Sequence, residues 1–320
     1  MKILITGGSG FIGTNILSFL LNNEITNILN LDISEPVDID HKSYWKKIDI
    51  NSYNDLLCEV NRFQPTCIIN LAADTGVDLK TLDDFNTNIN GVKNILQVSQ
   101  STDSIQHVLF FSTLLVCKIG YYPKHDQDYN PSTAYGESKV IGETIIRNFQ
   151  SPNFTWTILR PISIWGPWCN EPYKNFFKSV MNGWYFHIGD GHYRRSLGFV
   201  GNLVQQVHGL LLCNFKQING KTYYLADEKP VDIRTMAEII KAETNPGNII
   251  CVPIIVAKCL AKLGDFLQLL GWRFVPLTTF RLNNITTEYI YDLSPIHKVT
   301  TIKPIELQKA IKLTLSNFKK

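Results

Sequence analysis

Lys2-Ile3-Leu4-Ile5-Thr6-Gly7-Gly8-Ser9-Gly10-Phe11-Ile12-Gly13 is the stretch that decides the fold of this 320-residue chain. The apolar run Ile3 to Ile5 reads as a buried strand, and it passes directly into glycines that open an apolar-periodic helix, Phe11 to Leu21. The turn satisfies both GxGxxG and GxxGxxG. Its glycines permit a tight bend, backbone approach to a pyrophosphate and close packing of helix on strand, while the helix N-terminus supplies N–H groups and positive potential. Outward from this turn, Asp32 follows the run Ile28 to Leu31 and lies 19 residues beyond Gly13. An acid about 20 residues on is placed to hydrogen-bond an adenosine ribose, and its charge repels a 2′-phosphate, so NAD is favoured over NADP.

The alternation continues through a helical pattern at Tyr53 to Phe63, an apolar run at Cys67 to Leu71 and a helix around Asp84 to Ser99. Strands at Val108 to Phe111 and Thr155 to Leu159 flank a further helix, Ala134 to Phe149. This rhythm predicts an α/β fold with a Rossmann-type doubly wound parallel sheet of about six strands. After Arg160 the pattern changes, with Pro161, Gly166, Pro167 and Pro172 breaking the chain and Trp165, Trp168, Phe176 and Trp184 enriching it in aromatics. An NAD-binding domain over 1–165 and a smaller, mainly substrate-binding C-terminal lobe over 166–320 are expected, with a return to the sheet near 222–226.

The charged fraction of 18% and net charge of +3, with basic residues scattered, give no reason to expect nucleic acid as a partner. Seven cysteines, odd in number and without CxxC spacing, point to reduced thiols in a cytoplasmic protein, Cys117 reading as a small buried hydrophobe. His187 and His192 lack ligand partners at metal-site spacing, so no metal is expected. The opening Met1 to Ile5 has no signal-peptide pattern. The apolar stretch Ile249 to Leu263 carries Lys258 and Lys262 and is too short to span a bilayer, so it is expected to pack on its own protein.

Tyr135 and Lys139 stand four residues apart on a predicted helix, which puts both side chains on one face. In a chain with 13 tyrosines this spacing has little weight alone; its position downstream of the dinucleotide turn supplies the weight. Together with Gly7 to Gly13, Asn70-Leu71-Ala72-Ala73, Asn88 with Gly91, Ser112-Thr113, Tyr135-Gly136-Glu137-Ser138-Lys139 and Arg160-Pro161, the pair makes the chain resemble the extended short-chain dehydrogenase/reductases. Within them it most resembles the NAD-dependent epimerase/dehydratase family of nucleotide-sugar enzymes. The match is ordered over Lys2 to Pro167 and looser through Gly189-Asp190-Gly191, Arg195 and Val200.

The resemblance implies roles for individual residues. Gly7, Gly10, Phe11, Ile12, Gly13 and Asp32 would bind NAD, with Asp49 and Ile50 at the adenine and Leu71, Ala72 and Ala73 along the dinucleotide path. Tyr135 would be the general acid/base, Thr113 would hydrogen-bond the reacting oxygen, and Lys139 would bind the nicotinamide ribose. Asn88 would brace strand and helix near the active centre. Ser163 and Arg195 would meet the substrate, the arginine at its diphosphate, a use suited to its planar fork of donors.

Departures bear on specificity. Cys117 replaces the tyrosine of a VYG sequence, Asn70 a frequent histidine, Ser163 an asparagine and Gly201-Asn202 an Asp-Asp pair. Leu114 and Leu115 occupy the positions where 4,6-dehydratases of the family place an Asp-Glu pair, so elimination would lack its proton donor. A nucleotide-sugar 4-epimerase acting through a 4-keto sugar is therefore the leading expectation. Two alternatives stay open: a net dehydrogenase or ketoreductase, including a hydroxysteroid-like one with Val252 to Leu270 as an apolar lid, and a non-catalytic NAD-sensing protein. A homodimer without membrane insertion is expected.

Overall fold

The computed structural model describes residues 1–76, 81–272, 275 and 277–318. Strands β1 (Ile3–Thr6), β2 (Ile28–Asp32), β3 (Trp45–Lys47), β4 (Cys67–Asn70), β5 (His107–Phe111) and β6 (Thr155–Pro161) alternate with helices α1 (Phe11–Asn22), α2 (Tyr53–Phe63), α3 (Val92–Gln100) and α4 (Ala134–Asn148). Short strands follow, β7 (Ile164–Trp165), β8 (Phe186–Ile188), β9 (Arg194–Arg195) and β10 (Gly198–Phe199), interspersed with α5 (Tyr173–Met181) and leading to α6 (Val200–Leu212) and α7 (Phe215–Ile218). Strand β11 (Lys221–Leu225) then joins β6, giving the seven-stranded order β11-β6-β5-β4-β1-β2-β3, parallel throughout. The seventh strand, β3, has no counterpart in the sequence reading. Three residues, Trp45 to Lys47, are too few to show a period, and their pairing with β2 comes from the sheet.

Strands β1, β4 and β5 are buried along their whole length, as a parallel sheet covered on both faces requires. Alternate side chains of β1 divide between two cores: Ile3 and Ile5 pack with α1, α6 and the C-terminal segments, while Leu4 packs with α2, α3 and α4. Strand order reverses between β1 and β4, so the turns leaving their carboxyl ends diverge and leave a crevice there.

The C-terminal lobe adds β12 (Val231–Asp232), α8 (Ile233–Thr244), β13 (Ile250–Val252), α9 (Ile254–Leu269), α10 (Thr279–Thr286), α11 (Ser294–Val299) and α12 (Leu307–Phe318). Outside the main sheet the short strands among the described residues form three two-stranded pairs, β7 with β10, β8 with β13 and β9 with β12.

Helix α9 meets the expectation for the apolar stretch only in part. Only its small residues, Ala257, Ala261 and Gly264, are buried against the protein, toward α10 and Leu277. Ile254 packs partly against this contact, but most of the large residues point outward, Leu269 being 85% and Ile255 72% exposed. Small side chains let the two helices approach closely, and that contact leaves the bulky face uncovered. Among the described residues no helix is long and apolar enough to cross a membrane.

Candidate active site

A cleft of about 880 Å³ opens at the carboxyl ends of the strands, toward the upper end of the roughly 300–1,000 Å³ usual for small-molecule sites. Gly7, Gly10, Phe11, Ile12, Gly13, Asp32, Asp49, Ile50, Leu71, Ala72, Ala73, Thr113, Tyr135, Lys139 and Ser163 all line it. Asn88 and Arg195 do not.

Gly7 leaves β1 with φ +72°, and a Cβ there would lie 2.5 Å from the Ala72 nitrogen, so no side chain fits between the turns after β1 and β4. Gly10 caps α1 without a side-chain hydrogen bond, so the cap leaves the first-turn N–H groups free to meet an anion. Asp32, at the end of β2, accepts N–H bonds from Ser9 and Ser34, each at 2.9 Å, which ties the acid to the glycine turn. Sequence reasoning missed Asn30, a fully buried residue of β2 that accepts the Gly8 N–H at 3.0 Å and donates to Ser9 Oγ at 3.2 Å. An asparagine in an otherwise apolar strand was its visible signal. The turn, the free N–H groups and the acid fit a dinucleotide.

Helix α4 delivers the chemical pair. Thr133 caps it by accepting the Gly136 N–H at 3.0 Å, and Gly136 lies so close to the turn after β5 that a Cβ would stand 2.2 Å from the Leu115 carbonyl oxygen. That contact sets Tyr135 beside Thr113. Burial pushes the Tyr135 phenol up to about 12, with the Thr113 hydroxyl pulling the other way. Lys139, buried one turn along, donates to the Phe111 carbonyl at 3.0 Å; burial lowers its ammonium to about 8, opposed by Glu143 and Asp74. A tyrosine in this setting keeps its proton near neutrality unless further positive charge arrives.

Asn88 works at one remove from the cleft, in a single π turn, Thr87–Gly91. Its side chain accepts the Asp74 N–H at 2.8 Å and donates to the Asp74 carbonyl at 3.0 Å and to Ser138 Oγ at 2.9 Å, fastening the loop after β4 to α4. Beyond Lys139, the buried Glu143 accepts from Arg160 Nε at 2.9 Å and Nη2 at 2.7 Å, from Ser112 Oγ at 2.6 Å and from Tyr129 at 2.9 Å. This network braces Ser112, the neighbour of Thr113, against α4 and β6.

The other end of the cleft is lined by Ser163, Asn170, Glu171 and Tyr173, of which the sequence reading had only Ser163. Ser163 adopts φ +47° and shares a 2.8 Å hydrogen bond with the Tyr289 hydroxyl. Arg195 lies behind this pair, 8% exposed, its guanidinium carbon 5.4 Å from the Tyr289 ring centroid. It donates to the Asn284 carbonyl at 2.7 Å and to the Ile285 carbonyl, at the C-terminal end of α10. Its Nε has no partner among the described residues.

The model of the NAD-dependent epimerase/dehydratase family matches residues 3–226. The chain belongs to that family. NAD is accordingly the cofactor of this enzyme, in agreement with the turn and acid described above. An N-acetyl-alpha-D-glucosaminyl-diphospho-ditrans,octacis-undecaprenol 4-epimerase of Escherichia coli O157:H7 is 22% identical over 98% of this chain and 94% of its own length. Among solved structures of similar fold, the UDP-glucose 4-epimerase of Thermotoga maritima with UDP-glucose superposes with a TM-score of 0.76 at 18% identity, over 100% of this chain and 99% of the other. The UDP-glucose 4-epimerase of Thermus thermophilus with NAD gives 0.72 at 18% identity, over 100% and 99%.

Proposed function

We propose that this member of the epimerase/dehydratase family is a 4-epimerase of a hexose carried on a diphosphate, in the first place a nucleotide sugar, working through a transient 4-keto sugar. The observation that carries the reading is the meeting of the Thr113 hydroxyl and Tyr135 phenol on the cleft wall, with Lys139 one turn along α4. When bound, NAD supplies a reversible hydride acceptor.

The residues divide the remaining work. Tyr135 takes the proton of the substrate hydroxyl at its phenolic oxygen and later returns it, while Thr113 hydrogen-bonds the reacting oxygen. Lys139 would bind the nicotinamide ribose beside Tyr135, whose phenol, raised to about 12, would come down toward working pH as the positive charge of the bound cofactor arrives. Gly7 to Gly13 hold the pyrophosphate, Asp32 the adenosine ribose, Asp49 and Ile50 the adenine, and Leu71 to Ala73 the dinucleotide path; Asn88 positions the loop and α4. Ser163 and Tyr289 face the sugar end, and Arg195 supplies positive charge behind them for the diphosphate.

Leu114 and Leu115 follow Thr113, so no carboxyl group stands there to protonate a departing hydroxyl. That favours epimerisation over dehydration. The relatives support a diphosphate-linked sugar, since one acts by name on a polyprenyl-diphosphate sugar and the other was solved with UDP-glucose. The reading includes a cytoplasmic homodimer. Its test is product analysis by NMR of UDP-, GDP-, CDP- and dTDP-hexoses incubated with the NAD-loaded enzyme. Inversion at C4 without net NADH formation is expected; stoichiometric consumption of NADH would establish a net ketoreductase instead, and tight NAD binding without any turnover a sensing protein.

A further inference from the structure

We propose that the outward face of α9, with Leu270 and Trp272 just beyond it, seats the protein on an anionic bilayer surface. Ile255, Leu263, Phe266, Leu269, Leu270 and Trp272 are each more than half exposed, and they succeed one another along one side of the α9–α10 hairpin, with Phe280 of α10 also exposed. Single exposed apolar residues are ordinary on soluble proteins, whereas a run of this size marks a binding surface.

The charges around the face select its occupant. At 100° per residue, Lys258 borders the exposed apolar stripe and Lys262 falls just inside that border, between Leu269 and Ile255; both are exposed and neither has an ion-pair partner among the described residues. The only carboxylate of α9, Asp265, is engaged elsewhere: it accepts the Thr279 N–H at 2.9 Å and the Thr279 hydroxyl, capping α10. Helix α10 carries no acid. A second copy laid on this face would bring two lysine edges to an apolar surface with no carboxylate to meet them. Lipid headgroups supply that negative charge, and the acyl boundary supplies the apolar medium. A helix with bulky apolar residues outward and lysines at its edge lies in such an interface rather than across it.

The hairpin also reaches the cleft. The last carbonyls of α10 hold Arg195, whose neighbour Tyr289 bonds Ser163 on the cleft wall. The link to substrate rests on the function proposed above: the surface would bring the sugar end of the cleft to a diphosphate sugar carried in the membrane.

Sedimentation with vesicles of phosphatidylglycerol and phosphatidylethanolamine, and with phosphatidylcholine alone, tests the seating. The full-length NAD-loaded protein is expected to partition onto the anionic vesicles, less so in high salt. Leu263→Glu with Phe266→Glu, both at exposed positions, should lower the partition by roughly ten-fold or more. Lys258→Ala and Lys262→Ala should lower it by about five-fold each. Turnover of a soluble nucleotide sugar should be unchanged in all of them. Absence of vesicle binding, or binding unaffected by the two glutamates, overturns the proposal. So does light scattering in which those glutamates split a dimer that never bound vesicles, since a second copy then covers the face. Vesicle binding without turnover of any sugar refutes the function and leaves the seating; turnover without vesicle binding does the reverse.

Discussion

At the cofactor end of the cleft, Gly7, Asp32, Leu71 and Ser112 each sit at or just past the carboxyl end of a sheet strand, whereas at the proposed sugar end Ser163, Arg195 and Tyr289 are held by two-residue strands, a single bridge and side-chain bonds across the chain. The first set inherits its geometry from backbone pairing between long buried strands. The second depends on side-chain hydrogen bonds spanning more than a hundred residues of sequence, Ser163 with Tyr289 and the Tyr291 hydroxyl to the Tyr121 carbonyl among them. An end built from backbone topology tolerates change elsewhere; an end built from long-range side-chain contacts can diverge in specificity without unmaking the first.

The sharpest way to break this contrast is at the point where the two ends meet. Tyr135→Phe should retain the fold and NAD binding while turnover falls about 10²–10⁴-fold, the usual contribution of a general acid/base. Cofactor titration beside a steady-state assay checks it, and near-normal turnover in the folded variant removes Tyr135 from the mechanism.

The cofactor end should be brittle where its bracing is buried. Glu143→Gln leaves Arg160 without its counter-charge and should cost about 3–5 kcal/mol in urea unfolding. Burial pushes the Glu143 carboxyl up, but Arg160, Ser112 and Tyr129 outweigh it and hold the group below its ordinary value. Its stabilisation is therefore complete above the unfolded carboxylate pKa, about 4.3, and is lost as pH falls through the lower folded one. The Gln variant should lack that acid-dependent loss.

Lys139 offers a smaller effect of the same pH sense in an alkaline window. The folded chain holds it near 8, against about 10.4 when unfolded. Between those values the unfolded chain binds the proton and the native one does not, so stability rises with pH across that window. Relative to Lys139→Met, the parent without cofactor should gain about 3 kcal/mol between about pH 7 and pH 11. Parallel pH–stability curves for the two proteins would show that Lys139 is not buried as a charge.

Arg195→Ala probes the other end. Loss of its charge and of its grip on α10 should weaken a diphosphate sugar by about 1.5–3 kcal/mol, roughly ten-fold to a hundred-fold, with NAD affinity unchanged. Calorimetry with each ligand measures both, and an equal loss for NAD would mean that the two ends are one site.

Much of the cofactor end was legible beforehand because its signals are local. Apolar runs with period-two or full burial, glycines where a Cβ would collide, and an acid at the end of the second strand each report a backbone requirement within a few residues. Asn30, Asp74 and Tyr173 escaped notice because their significance lies in what they face, and strand β3 because three residues show no period. The exposed face of α9 went unread for a related reason. Its composition states how apolar it is, but which stripe turns inward depends on Ala257, Ala261 and Gly264 fitting α10 more closely than Leu or Phe could. The succession of strands and helices in the first half, the dinucleotide turn and the Tyr135–Lys139 spacing were thus written in the chain itself, through short-range sterics and periodicity. The burial of Arg195 against carbonyls, the Glu143–Arg160 brace and the exposed face of α9 emerged only on folding, because each depends on how separate elements pack together: Arg195 on α10, α4 on β6, and α9 on α10.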